Sequence, residues 1–316
     1  MAGRDASPGI ETGMNKPHHA DLSPAPAVMS EFVSGFSIEV TPRTAAKIPD
    51  FRDILPSRTR VYVAQIEGTP ESDMVSTARR LSDEGFTVVP HITARTIRDL
   101  SHLQNIVEGY REKAGIREAL LLAGGIDKPY GKFHSSVQLL ESGVLDRAGY
   151  TRVFVAGHPE GNSDIDPEGG TTETDKAILH KQRIADESDM IMELTTQFVF
   201  EAAPVISWAT RISRMGVTMP INVGVAGPTK LQTLLKYAVA CGVGPSIRVI
   251  QRRARDVVKL LAPVEPDSVV AELARFRNSR DDALIGGLHI FPLGGIKASA
   301  EWANNRQQAA IRRTGS

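Results

Sequence analysis

Eight short, apolar, β-prone runs separated by stretches of helical period are the feature that most constrains this chain. The runs cover residues 36–40, 60–66, 86–91, 118–123, 152–157, 190–196, 219–225 and 287–291. Between them, residues 71–84 place Met74, Val75, Ala78 and Leu81 at helical spacing and stop at Gly85. Residues 96–114 do the same with Ile97, Leu100, Leu103, Ile106 and Val107. Helices are also expected over 137–148, 201–215, 230–241, 245–261 and 267–277, with a polar helix or tail over 298–312. Thr172, with Asp175 three residues on, reads as a capping box opening a helix that runs to about residue 187. Strands that alternate with helices must be parallel, because each crossover carries the chain back over the sheet. The ordered length suits a single (β/α)8 TIM barrel, typically about 250 residues. The alternative, a doubly wound open sheet, lacks its glycine-rich phosphate turn after the first run.

In such a barrel chemistry sits at the C-terminal ends of the strands. Those ends carry Glu39, Gln65, His91, Gly124 and Gly125, His158-Pro159-Glu160, Gln197, Gly224 and Phe291. Period-two alternation puts Ser37 and Glu39 on one face of the first strand and Phe36, Ile38 and Val40 on the other. A carboxylate on a buried strand face is costly unless it is paired, hydrogen-bonded or protonated. An ion pair that only holds the fold is the ordinary use of such a residue. Its place at the end of the first barrel strand makes Glu39 a candidate acid.

The chain has 37 basic and 37 acidic residues, so no net field draws it to nucleic acid or to an anionic membrane. Cys241 stands alone in an apolar stretch, which forbids an internal disulfide and fits a buried thiol and a cytoplasmic location. No run reaches the roughly 18 apolar residues that span a bilayer. Residues 1–30, rich in Ala, Pro, Ser and Gly without periodicity, read as a disordered leader, and His18-His19 there as solvated. The barrel is expected over 31–300 and a polar tail over 301–316. A homo-oligomer is compatible with this composition.

Short motifs at the strand ends carry a resemblance. Phe36-Ser37-Ile38-Glu39-Val40-Thr41-Pro42 is similar to Phe-Glu-Phe-Phe-Pro-Pro, and Pro90-His91-Ile92-Thr93 to Pro-His-Leu-Thr. Ala156-Gly157-His158-Pro159-Glu160-Gly161 is similar to Ala-Gly-Tyr-Pro-Glu-Gly, and Thr196-Gln197-Phe198-Val199-Phe200-Glu201 to Thr-Gln-Phe-Phe-Phe-Asp. Leu288-His289-Ile290-Phe291-Pro292-Leu293 is similar to His-Phe-Tyr-Thr-Leu. In this order the motifs resemble the methylenetetrahydrofolate reductase family. The resemblance implies reduction of 5,10-methylenetetrahydrofolate to 5-methyltetrahydrofolate with NAD(P)H, usually through FAD, with Glu39 as the acid at N10. It places Gln197, Phe291 and Phe198 on the folate side. His91, Gly124, Gly125, Asp127, His158 and Lys181 fall on the cofactor side, and Arg43 near the entrance.

The departures from the family pattern cluster on the flavin side. Leu122-Ala123-Gly124-Gly125 replaces Leu-Arg-Gly-Asp, with Asp127 two residues beyond, and Ile178-Leu179-His180-Lys181-Gln182 replaces Asn-Leu-Lys-Arg-Lys. Ala64-Gln65 stands at a family threonine, His158 at a tyrosine, and Gly294-Gly295 at Asn-Arg. Weak or absent FAD binding, with hydride passed directly from NAD(P)H, is therefore expected. Two other classes compete: a barrel metal hydrolase built on His91, His158 and His289 with a carboxylate, and a folate-binding protein without catalysis. The first strand has no His-x-His pair, which counts against the hydrolase, so no metal site is expected.

Overall fold

Parallel pairing closes the sheet on itself. Strands β1 (Ser37–Val40), β2 (Arg60–Val63), β3 (Thr87–Thr93), β4 (Glu118–Leu122), β5 (Arg152–Gly157), β6 (Ile191–Val199), β7 (Ile221–Ala226) and β8 (Ile285–Phe291) form a closed barrel in the order β1-β8-β7-β6-β5-β4-β3-β2. The structure is a computed structural model that describes residues 26–240 and 263–308. Among the described residues the helices are α1 (Pro26–Val33), α2 (Pro42–Ala45), α3 (Glu71–Asp83), α4 (Leu100–Ala114), α5 (Ser136–Glu141), α6 (Val144–Arg147), α7 (Thr172–Glu187), α8 (Ala202–Arg214), α9 (Leu231–Ala240), α10 (Asp267–Asn278) and α11 (Ile296–Gln308). The expected (β/α)8 TIM barrel is the observed fold.

Each helix buries the stripe its sequence presents. Met74, Ala78 and Leu81 of α3 and Leu103, Val107, Tyr110 and Ala114 of α4 enter the layer between helices and sheet. That layer also holds the outward residues of the strands, such as Ile38, Val40, Val61, Val63, Val153 and Val155. The inward residues form levels. At the N-terminal end Arg60 pairs with Glu118, Arg152 pairs with Glu193, and Asn222 Nδ2 donates to Glu193 at 2.7 Å. Gly287 of β8 belongs to this level, since a Cβ there would lie 2.7 Å from Asn222 Oδ1. Above it Tyr62, Val89, Leu120 and Phe154 fill the interior, so the barrel is packed from below.

Several boundaries differ from expectation, each for a local reason. Helix α1 starts inside the stretch expected to be unstructured, because Phe32 and Val33 are buried and Arg277 stacks over Phe32. At the other end the expected polar helix or tail over 298–312 is the helix α11, two residues earlier in its start: Trp302 and Ala303 are buried and Arg306 pairs with Asp267. The single helix expected over 137–148 is two, α5 and α6, broken at Gly143 with φ +65°. The capping box at Thr172 is absent. Thr171 is the N-cap, and the Asp166 carboxylate accepts from the free amides of Glu173 and Thr174 at 2.7 and 3.0 Å. The helix expected over 245–261, and Cys241, lie outside the described residues.

Candidate active site

Glu39 is the third residue of β1, and alternation turns it inward with Ser37 while Ile38 and Val40 join the outer core. Two imidazoles reach its carboxylate. His91 Nε2, on β3, lies 3.4 Å from Glu39 Oε2, and His289 Nε2, on β8, lies 3.9 Å from the same oxygen. Both nitrogens are buried and neither completes a hydrogen bond at these distances, so a small turn of the carboxylate selects its partner. The other nitrogen of His289, Nδ1, is 2.9 Å from Ser37 Oγ, which also reaches Leu288 O at 3.4 Å. The His289 ring rests against Tyr62 (centroids 4.4 Å apart), which meets His91 edge-on at 6.4 Å. His91 and His289 thus flank the acid, with Ser37 and Tyr62 set against their rings.

Burial is the largest influence on the Glu39 carboxyl and pushes its pKa up. It is outweighed by interaction with His289 and by positive charge on His91 and His289, so the net direction is down when the imidazoles are charged. His91 is itself held below the ordinary histidine range by burial, against the pull of Glu39. The balance at Glu39 favours the carboxylate, while burial favours the neutral His91 ring.

The folate-side residues form the adjoining wall. Phe291 contacts His289 edge-on at 4.7 Å and Phe198 at 5.5 Å. Phe198 is buried beneath it with Phe200, Leu231 and Leu234, so it supports Phe291 and offers no surface to a ligand. Gln197 sits in a bulge of β6, where register shifts between Thr195 and Phe198. The bulge exposes its side chain, whose Oε1 accepts from Phe198 N at 3.0 Å while the amide nitrogen is left without a partner among the described residues. Gly224 makes this packing possible, since a Cβ there would lie 2.5 Å from Thr196 O and 2.7 Å from Phe291.

The cofactor-side residues do not gather in one place. His91 stands against Glu39, away from the others. His158 and Lys181 form a separate pair at the end of β5, where Lys181 Nζ donates to Ala156 O at 3.1 Å. Burial and the Lys181 charge push His158 down to about 4, and burial holds Lys181 at about 8. Gly124 has φ +97° and packs on Thr93, so its glycine is explained by the turn. Gly125 and Asp127 are exposed, and Asp127 has no partner among the described residues. Above them Arg95 donates to Ile126 O at 3.2 Å and pairs with Asp164 at 2.6 Å, tying the loops that follow β3, β4 and β5 together. Of the three histidines the hydrolase reading needs, His91 and His289 converge and His158 stands apart. Among the described residues no group of three or more His, Cys, Asp or Glu is placed to hold a metal ion.

Sequence reasoning left Tyr62 out of the candidate site and gave His289 only to the hydrolase alternative. Period two would have found both: His289 shares a face with Phe291, and Tyr62 shares one with Arg60.

The closed parallel barrel, with a carboxylate between imidazoles at the end of its first strand, makes the chain a (β/α)8-barrel protein with its candidate site at the C-terminal face. The family assignment is independent of that geometry: the model of the methylenetetrahydrofolate reductase family matches residues 46–255, and the chain belongs to that family. The match leaves Glu39, His289 and Phe291 outside its bounds. Among solved structures, the chain is similar to an uncharacterized protein from Clostridium thermocellum that binds two copies of 5-methyl-5,6,7,8-tetrahydrofolic acid. The TM-score is 0.60 and the identity 11%, over 90% of this chain and 98% of that one, which is a likeness of fold. A β-mannanase of Thermomonospora fusca in complex with mannotriose gives a TM-score of 0.42 at 11% identity, over 85% of this chain and 81% of that one. No helix among the described residues is long and apolar enough to cross a membrane.

Proposed function

We propose that this chain interconverts 5,10-methylenetetrahydrofolate and 5-methyltetrahydrofolate with NAD(P)H, Glu39 serving as general acid at N10. The observation that carries the reading is the Glu39 carboxylate, turned into the barrel at the catalytic end of β1 and flanked by His91 and His289, in a chain of this family. The imidazolidine ring of the substrate bridges N5 and N10 through a methylene carbon. Protonation of N10 by Glu39 breaks the bond from that carbon to N10 and leaves an N5 iminium. NAD(P)H supplies the hydride that the iminium carbon accepts, giving the N5-methyl product with the proton kept on N10. In the reverse direction Glu39 takes the proton back.

Gln197 has the position and free amide to bond the pterin edge, and Phe291 a half-buried ring beside it to meet its face. A flavin is poorly served: the turn after β4 presents Gly124, Gly125 and an exposed Asp127, Lys181 is committed to Ala156 O, and Arg95 to Asp164. We derive no step through FAD. The NADH or NADPH is then held directly against the folate. Protein purified without added flavin should oxidise NADH or NADPH only when methylenetetrahydrofolate is present, and form methyltetrahydrofolate in equal amount. Absence of turnover with either nucleotide, with or without FAD, would leave a folate-binding protein.

A further inference from the structure

We propose that His91 recharges Glu39 with protons drawn from the cavity between α3 and α4, through the side of the barrel. The inference rests on Glu39 acting as the acid. Each reduction consumes one proton, and a folate and a nicotinamide together would cover the mouth above Glu39. The acid then needs a supply that does not cross the bound ligands. A cavity of about 530 Å³ opens between α3 and α4, and His91 and Gln65 form part of its wall. Ser72, Ser76 and Asn105 line it too, and a water needs only about 30 Å³ and two to four polar partners.

The two nitrogens of His91 are differently placed. Nε2 is buried and faces Glu39 Oε2 at 3.4 Å, while Nδ1 bonds to no described residue and is not among the buried unpartnered atoms, so it stays accessible. The titratable groups packed on the ring are Glu39 from β1, Tyr62 from β2 and His289 from β8, and its neighbour on β4 is Leu120. Glu71, paired with His102 at 2.7 Å, and the exposed Arg79 and Lys113 complete the charged lining of the cavity. A cavity water gives a proton to Nδ1, the imidazolium passes its Nε2 proton to the Glu39 carboxylate, and a turn of the ring resets it. Burial disfavours the imidazolium, so the ring does not keep the proton it takes up.

Three proteins test the route: wild type, His91→Ala, and Gly109→Phe, which points a ring into the cavity from an α4 position with open space. Both variants are expected to lose roughly ten- to a hundredfold in kcat with folate KM nearly unchanged, and to show a larger solvent deuterium isotope effect. Added imidazole, entering the cavity, should restore several-fold of the His91→Ala loss and none of the Gly109→Phe loss. Wild-type kcat and isotope effect in Gly109→Phe would overturn the route, as would a His91→Ala loss that imidazole does not touch. A Glu39-dependent wild type with an unaffected His91→Ala sinks the relay alone, whereas an inactive wild type removes the acid and the relay together.

Discussion

Lys181→Met should make this protein more stable, because Lys181 is a buried ammonium with no carboxylate beside it among the described residues. Its side chain is 5% exposed and its one hydrogen bond is to Ala156 O at 3.1 Å. Burial holds its pKa at about 8 against 10.5 for an ordinary lysine. Between those values the unfolded chain keeps a proton that the folded chain lacks, so stability rises with pH through that window, and the full penalty applies below about pH 8. The difference corresponds to about 3 kcal/mol. Methionine keeps the length of the side chain and removes the charge, at the loss of a hydrogen bond to a charged donor worth about 1.5 kcal/mol. A net gain on the order of 1–2 kcal/mol at pH 7 is expected, a few degrees in Tm for a chain of this size. Urea denaturation at pH 7 and pH 10 checks it, and the advantage should shrink at the higher pH. His158 should titrate above its value of about 4 once the Lys181 charge is gone. It should stay below the ordinary 6.5, because burial is the larger cause. A destabilised variant at pH 7, or an advantage that does not change between pH 7 and pH 10, would refute the reasoning. If Lys181 serves the cofactor, the stabilised variant will bind NAD(P)H more weakly, which would account for keeping so costly a charge.

Gln197→Ala should weaken folate binding by about 1–3 kcal/mol in calorimetry and leave nicotinamide affinity nearly unchanged, as expected for one lost hydrogen bond to the pterin. Protein purified without added flavin should be colourless or faintly yellow, and titration with FAD should give only weak binding; a stoichiometric flavin spectrum would return the enzyme to a two-step mechanism. Arg152→Ala should lower unfolding free energy by about 2–4 kcal/mol without changing folate affinity, since it leaves Glu193 and Glu118 facing each other at the barrel floor, far from Glu39.

The barrel was legible because its strands are apolar on both faces and bounded by turn residues, so period and order alone set the topology. Glu39 was legible from its position: a carboxylate inside an apolar strand is most often an ion pair, but this one stands at the C-terminal end of the first barrel strand. Its partners were harder to read. His91 and His289 are separated from Glu39 by 52 and 250 positions and meet it only because the closed sheet sets β8 beside β1 and β3 one strand beyond β2. His91 was assigned to the cofactor on the strength of a motif, while the side it faces depends on strand tilt, which a motif does not encode. The bulge that exposes Gln197 and buries Phe198 was invisible, since a bulge shifts alternation by one residue without a signature of its own here. Helix α1 was lost in a leader whose composition is that of a loop, and its Phe32 and Val33 became informative only once α10 and α11 stood beside them.

The most direct test of Glu39 as the proton donor is the turnover of Glu39→Gln, measured as coupled NAD(P)H oxidation and methyltetrahydrofolate formation at saturating folate. Glutamine keeps the size and hydrogen-bonding reach of the side chain but has no proton to give at this pH. Turnover should fall by roughly two to four orders of magnitude, with folate affinity and thermal stability close to wild type. A Glu39→Gln protein that reduces methylenetetrahydrofolate at the wild-type rate would contradict the account.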